Sequence, residues 1–309
     1  MLKISAELLA DSICEPRITT VLLTYPRIIL AEVNTHCMIP KNTASSRAIP
    51  VERRVRQVRE DPFTPRYLGR NQRGMQPGAV IDEADLAMEV WRQAAIDAAD
   101  AGEKLSQLGL HKSLANRVME TFSWVQTIVT FTEADNMLNL RVHEDAQDEY
   151  FELALRVAEA YRNSSPTILA PGEWHIPFGD RMDDDYCDEK MRLMISSARC
   201  ARLSYETHNG EINYGKDLEL AEGLIKSGHM SPFQHQAQAV DKSEFWGGEN
   251  PETILRRENA LWDGTDVWWA QFRWWRMFRK TLPGENRGKL NLDRLIERGQ
   301  EIEKERLGL

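Results

Sequence analysis

The chain has 309 residues, 42% hydrophobic and 28% charged, enough to bury a sizeable core in one large or two small domains. A formal net charge of -9 excludes a broad footprint on a nucleic acid polymer, while a local basic pocket for a nucleotide phosphate stays compatible with it. No run of about 18 apolar residues exists, which excludes a membrane-spanning helix.

The start, Met1 to Glu7, has an acidic residue and no long apolar core, so no secretory signal is read there and a cytoplasmic setting is expected. Ile18 to Tyr25 is β-branched and bounded by Pro16 and Pro26, which predicts a strand; Arg27 to Asn34 then predicts a short helix. Pro50 to Gln57 reads as a basic helix, and Asp61 to Gly78, rich in Pro, Gly, Arg and Asn, as a long ordered loop of the kind that often carries function. Ile81 to Leu108 has Ala-rich helical spacing, and Asn116 to Tyr161 carries a second long helical pattern. The Pro/Gly/Asp-rich stretch from Ser164 to Asp185 predicts a linker between a half over 1–163 and a half over 186–309. Helices follow around Ile195 to Tyr205 and Leu218 to Ser227, then a loop through Pro232, a Trp-rich segment from Val267 to Arg279 and a charged terminal helix.

The four cysteines, Cys14, Cys37, Cys187 and Cys200, are scattered, so reduced thiols and no structural zinc are expected. Cys37 lies beside His36 and is weighed as a nucleophile. The acidic neighbours of Cys187, Asp183 to Asp185, Asp188 and Glu189, would suppress its thiolate.

The stretch Thr35-His36-Cys37-Met38-Ile39-Pro40-Lys41-Asn42-Thr43-Ala44-Ser45-Ser46-Arg47 resembles the signature of flavin-dependent thymidylate synthases. That signature runs Arg-His-Arg, two residues, Ser, one residue, Asn-Glu, one residue, Ser, one residue, Arg. His36, Asn42, Ser45 and Arg47 fall on its His, Asn, second Ser and final Arg. Thr35, Cys37, Pro40 and Thr43 replace both outer arginines, the first Ser and the Glu. The stretch Asn136 to Gln147 resembles the late helix of the same family, Asn-x-x-Asn-x-Arg followed by Ala-Gln, and Ala115-Asn116-Arg117-Val118 resembles its earlier Arg segment. Ala201-Arg202-Leu203-Ser204-Tyr205 and His229-Met230-Ser231-Pro232-Phe233-Gln234-His235 are similar to its Ala-Arg-Val-Ser-Tyr and His-x-Ser/Thr-Pro-Phe-Glu-His blocks. Their order differs, because the Ser-Pro-Phe block here follows the other two. Either the chain is circularly permuted, or it is duplicated and Trp275 to Glu285 is a decayed second copy of the signature.

The resemblance implies an α+β fold, a mixed, largely antiparallel sheet flanked by long helices, in a homotetramer whose active sites lie between subunits. It implies C5 methylation of a deoxypyrimidine monophosphate, dUMP to dTMP in the simplest case, with FAD, methylenetetrahydrofolate and NADPH. Such chemistry needs a hydride source that no side chain supplies. Arg47 and Arg117 would hold the nucleotide phosphate or sugar through planar, bidentate bonds, with Glu32, Ser45 and Ser46 beside them. Arg141 would face the base and stabilise the enolate-like charge that develops on it. His36, Asn136, Asn139, Ser204, Ser231 and Gln234 would contact the flavin, and His229 the folate side. Two rivals are a dCMP-directed or hydroxymethyl-forming enzyme and a catalytically degenerate nucleotide-binding or scaffold homologue.

Simpler readings accompany these. Arg141 and Asp145 form an i,i+4 pair suited to any helix surface. Trp268, Trp269, Trp274 and Trp275 read as core or interface packing. Arg53, Arg54, Arg56 and Arg59 read as a solvated helix face, with phosphate binding as the lesser possibility.

Overall fold

A computed structural model describes residues 3–182, 187–204, 213–240, 271–282, 285 and 292–307. The elements used below run in chain order. They are β1 (Ser5–Ile13), β2 (Arg17–Pro26), α1 (Leu30–Asn34), β3 (Lys41–Thr43), α2 (Val51–Glu60), α3 (Ala84–Gln107) and α4 (Lys112–Ala115). Next come β4 (Trp124–Phe131), α5 (Asp135–Arg141), α6 (Asp148–Asn163), β5 (Thr167–Ile168) and β6 (Trp174–His175). The last are α7 (Glu189–Ala201), α8 (Tyr214–Ser227), β7 (Ala237–Ala239), β8 (Trp275–Met277) and a terminal helix, α9 (Leu292–Leu307).

Strand β2 is buried along nearly its whole length, which requires cover on both faces. Its side chains alternate accordingly. Val21, Leu23 and Tyr25 join Val125, Val129 and Phe131 of β4 under Tyr150, Leu153 and Val157 of α6. On the opposite face Leu22 and Ile128 meet Ile195 and Cys200 of α7. The resulting five-stranded sheet has the order β3-β4-β2-β1-β5. It is antiparallel except for the β1–β5 pair. A three-stranded antiparallel sheet, β6-β7-β8, lies beside it. The architecture is thus α+β with a mixed, largely antiparallel main sheet. Among the described residues no helix is long and apolar enough to cross a membrane.

One expectation of secondary structure is corrected. The helical pattern over Asn116 to Tyr161 is interrupted by β4, a central strand paired with β2 on one side and β3 on the other. Its sequence, Trp-Val-Gln-Thr-Ile-Val-Thr-Phe, is β-branched and buried on both faces, which suits a covered strand. The described part of the stretch between the two halves, residues 164–182, also carries strands. It adds β5 to the main sheet and β6 to the small one, and Ser164 donates to the buried Asp11. Tyr205, Trp268 and Trp269 lie outside the described residues.

A separate helical layer forms where Val51, Val55 and Val58 of α2 pack on Ala95 and Ala99 of α3, with Met119 and Phe122 closing one end. The spacing of the three valines leaves Arg53, Arg56 and Arg59 exposed. Arg59 pairs with Asp100 and Glu103 of α3 at 2.6 and 2.7 Å. Arg54, expected on the solvated face, is buried at 4% exposure, because it sits between Val51 and Val58 against the start of β4.

Candidate functional site

The signature segment leaves α1 as a tight loop. Thr35 Oγ1 donates to the Glu32 carbonyl at 2.6 Å, and Lys41 Nζ donates to the carbonyls of His36 and Ile39. Within this loop His36 is met by Arg141, which is 105 residues away in sequence and ends α5. Arg141 Nε donates to His36 Nε2 at 3.2 Å, and its Nη2 donates to Thr35 Oγ1 at 3.3 Å. The guanidinium lies 4.6 Å from the centroid of the Tyr150 ring, a cation–π contact, and the His36 ring meets the same tyrosine edge-on at 5.9 Å.

Burial, followed by the positive charges of Arg141 and Lys41, holds the His36 imidazole below its ordinary pKa. The ring is therefore neutral near pH 7, as an acceptor for Arg141 has to be. Burial also pushes the Lys41 ammonium down to about 8. Arg141 makes its contacts with the signature loop rather than with Asp145, whose neighbour is His143 at 3.6 Å, so the helix-pair reading of Arg141 is not what the fold uses.

Arg141 stands on the rim of a cleft of about 780 Å³ between the 61–78 loop and the connection from α5 to α6. Tyr67, Met75, Pro77, Glu32, Arg141 and Gln147 are among its lining residues. Glu144, Asp145, Asp148 and Glu149 also line the cleft, so carboxylates outnumber its one arginine, Arg141. Glu32 Oε2 is buried without a hydrogen-bond partner among the described residues.

A second contact joins sequence blocks that lie far apart. Ser231 Oγ donates to Asn42 Oδ1 at 3.4 Å, and Gln234 Nε2 donates to the Lys41 carbonyl at 3.0 Å. Asn42 in turn donates to the Cys200 carbonyl at 2.6 Å. The Ser-Pro-Phe turn is thereby set against β3, inside the signature. From the Trp-rich segment, Gln271 donates to the carbonyl of Cys37 at 2.6 Å. The side chain of Trp275 is fully buried and bonded to Pro16, in line with a packing role.

The third cluster forms around Glu120. Its carboxylate accepts from Ser46 Oγ at 2.6 Å, from Arg117 at 3.0 Å and from Arg27 Nε at 2.9 Å. Burial opposes its charge, but Ser46 and the two guanidiniums outweigh burial and hold its pKa below the ordinary value. Arg117 is consequently engaged within the protein, and Arg47 is exposed nearby in sequence.

The predicted residues are thus divided. Glu32 and Arg141 line the cleft, with His36 bonded to Arg141, Ser231 and Gln234 lie at β3, and Ser46 and Arg117 at Glu120. Ser45, next to the last cluster, accepts from the Arg47 amide at 3.3 Å. Asn136 and Asn139 are exposed on α5. His229 is exposed and bonded to Ser227 at the end of α8, away from the signature contacts described above. Ser204 falls in a short 3-10 turn whose side chain lies outside the described residues. Sequence reasoning missed Lys41, Tyr150, Arg27 and Glu120. Lys41 lay inside the signature and was the most findable; Arg27 and Glu120 have no local signal.

No protein-family model matches the chain, and no curated protein does. Two solved structures of the UMP/dUMP methylase PolB from Streptomyces cacaoi are similar to it. The one bound with 5-Br dUMP is 17% identical, covers 47% of this chain and 65% of its own, and has a TM-score of 0.37. The chain therefore spans slightly less than two thirds of that structure. The one bound with 5-Br UMP is 15% identical, covers 52% and 89%, and has a TM-score of 0.44.

Proposed function

We propose that this chain is an enzyme that methylates C5 of a deoxypyrimidine monophosphate, converting dUMP to dTMP. FAD, methylenetetrahydrofolate and NADPH belong to the reading as the resemblance implies them. The observation that carries it is the Arg141–His36 contact at the mouth of the 780 Å³ cleft. Two motif blocks of one family, distant in sequence, meet there through the side chains the resemblance had singled out.

The chain's own residues have definite tasks in this reading. Arg141 is a permanently charged donor held by His36, Thr35 and Tyr150. Against a pyrimidine carbonyl it withdraws electrons and stabilises negative charge that appears as C5 attacks the one-carbon donor. The neutral His36 keeps the guanidinium oriented without competing for its charge. Tyr67 and Pro77, which line the cleft, offer flat apolar surface for a base.

FAD would supply the hydride. Arg141 and Gln147 suit a ring system with carbonyl edges. The diphosphate does not fit the cleft of one chain, because Thr35 and Cys37 stand where the signature has arginines and carboxylates dominate the lining. The homo-oligomer implied by the resemblance would have to bring the missing cations from a neighbouring copy.

The test is a mass-spectrometric product assay with dUMP and dCMP side by side, methylenetetrahydrofolate and NADPH, with and without added FAD. Methylated dUMP that depends on FAD is the expected result. A hydroxymethylated product or a preference for dCMP would replace this reading with its enzymatic rival. Absence of any product, with protein that stays colourless after flavin reconstitution, would leave only nucleotide binding or scaffolding.

A further inference from the structure

The chain between α2 and α3 folds back on itself as a hairpin arm. Arg70 N donates to the Ala79 carbonyl at 2.7 Å, Gly78 N to the Arg70 carbonyl at 2.8 Å and Ile81 N to the Leu68 carbonyl at 2.9 Å. Gly69 and Val80 form an antiparallel bridge, and Tyr67 Oη donates to the Gly78 carbonyl at 2.8 Å. Arg70 pairs with Asp82 at 2.9 Å. A Cβ at Gly69 would run into Pro77, so the two limbs are in contact. At the turn Gly74 has a φ of +110°, a conformation open to glycine. Residues 67–82 are therefore bonded chiefly to one another.

Little holds this arm to the rest of the molecule. None of residues 66–82 belongs to a buried hydrophobic cluster. The chain is anchored before the arm, where the buried Phe63 donates through its amide to the Phe122 carbonyl at 2.9 Å and accepts through its own carbonyl from Trp91 Nε1 at 2.8 Å. It is anchored again after the arm, where α3 begins at Ala84. Among the described residues, the arm's polar ties to the body are two. Arg66, with its side chain 66% exposed, pairs with Glu152, and an exposed ion pair contributes little. Gln76 Nε2 donates to the Asp145 carbonyl at 2.6 Å.

That second tie joins the two segments that line the 780 Å³ cleft. Tyr67, Gln76 and Pro77 come from the arm, and Arg141 and Asp145 from the connection between α5 and α6. A hairpin whose bonds are internal can move as one body on the few residues at either end of it, as hinged flaps do. Its displacement would change access to the cleft.

We infer that residues 67–82 form a flap over the cleft, latched by the bond from Gln76 to Asp145 and hinged at the segments on either side, and that it swings as a unit to admit and enclose a ligand. The inference takes from the proposed function only that this cleft holds the ligand, and it does not depend on methylation.

Nitroxide labels are placed at Arg73→Cys, exposed at the turn of the arm, and at Arg162→Cys, exposed on α6, in a Cys14→Ser, Cys37→Ser background. Double electron–electron resonance then reads the distances between arm and body. Two populations are expected, and Gln76→Ala should raise the ratio of the minor to the major one about fivefold, the order of losing one hydrogen bond. Hydrogen exchange in the same variant should leave the amides of Arg70, Gly78 and Ile81 protected, since they are bonded within the arm. Melting curves confirm that each variant is folded. A single distance population that Gln76→Ala leaves unchanged overturns the flap. Loss of protection at those amides overturns it too, because the hairpin would then be melting and not swinging. Adding dUMP to the labelled chain tests the other reading separately: populations that shift with Gln76→Ala but ignore dUMP support the flap and count against a nucleotide ligand.

Discussion

At the scale of single residues, the direction of one hydrogen bond orders the centre of the site. A guanidinium has no lone pair to offer, so His36 Nε2 has to accept from Arg141, and burial, then the charges of Arg141 and Lys41, favour the neutral imidazole that can do so. Arg141 is then a positioned cation rather than a surface charge. Its removal is expected to lower kcat by about 10²–10³-fold, the order of losing one oxyanion donor, with a smaller change in nucleotide affinity. Arg141→Lys is expected to fall nearly as far as Arg141→Ala, because an ammonium cannot reproduce the planar contacts to His36, Thr35 and a pyrimidine edge. Steady-state turnover with melting curves decides the matter, and a fully active lysine variant would remove Arg141 from catalysis.

At the scale of elements, the two sheets are tied together by a buried polar chain that no motif announces. Ser12 Oγ of β1 meets His175 Nδ1 of β6 at 2.9 Å, and His175 Nε2 meets Thr20 Oγ1 of β2 at 2.8 Å. Thr20 bonds Thr130 of β4 at 2.8 Å, and Thr130 bonds His235 Nδ1 at 2.9 Å. Thr20→Val keeps the shape but strands an imidazole nitrogen and a hydroxyl, so a loss of about 1–3 kcal/mol is expected in urea denaturation. A neutral result would mean that water replaces the hydroxyl.

Both imidazoles are fully buried, and burial pushes each from 6.5 down to about 3. Below pH 6.5 the unfolded chain takes up these protons before the folded one does. Their contribution to stability is therefore complete above 6.5 and lost as pH falls from 6.5 towards 3, by up to about 1.4 kcal/mol per pH unit for each histidine. Melting curves from pH 7 to pH 4 should show the decline, with a shallower slope in His175→Gln. An identical slope in that variant would assign the acid sensitivity to other groups.

At the scale of the whole molecule, the segment from 164 to 185 decides how the two sequence halves relate. β5 extends the main sheet and β6 begins the small one, while α7 covers the face of β2 and β4 that α6 does not. A fragment ending at residue 163 would lack β5, β6 and α7 and expose Leu22 and Ile128. Such a fragment is expected to lose the sigmoidal urea transition of the full chain and to bind a hydrophobic dye. A cooperative transition in the fragment would instead support a division into two halves.

Much of the local structure was legible without coordinates. Strand β2 announced itself by β-branching between prolines, and α2 and α3 by their spacing. The strand β4 was not legible, because a short apolar run fits a buried strand and a buried helix segment equally well, and only pairing with β2 and β3 resolves it. Arg54 sits in a run of arginines whose composition says solvent, yet its place between Val51 and Val58 turns it inward. Glu120 gathers Arg27, Ser46 and Arg117 from separate segments, and Arg141 reaches His36 across 105 residues. Sequence by itself determined which charged and polar side chains were available, since residue type and local periodicity are short-range properties. Only the tertiary structure decided which of them meet and which are buried, because long-range packing sets both distance and desolvation.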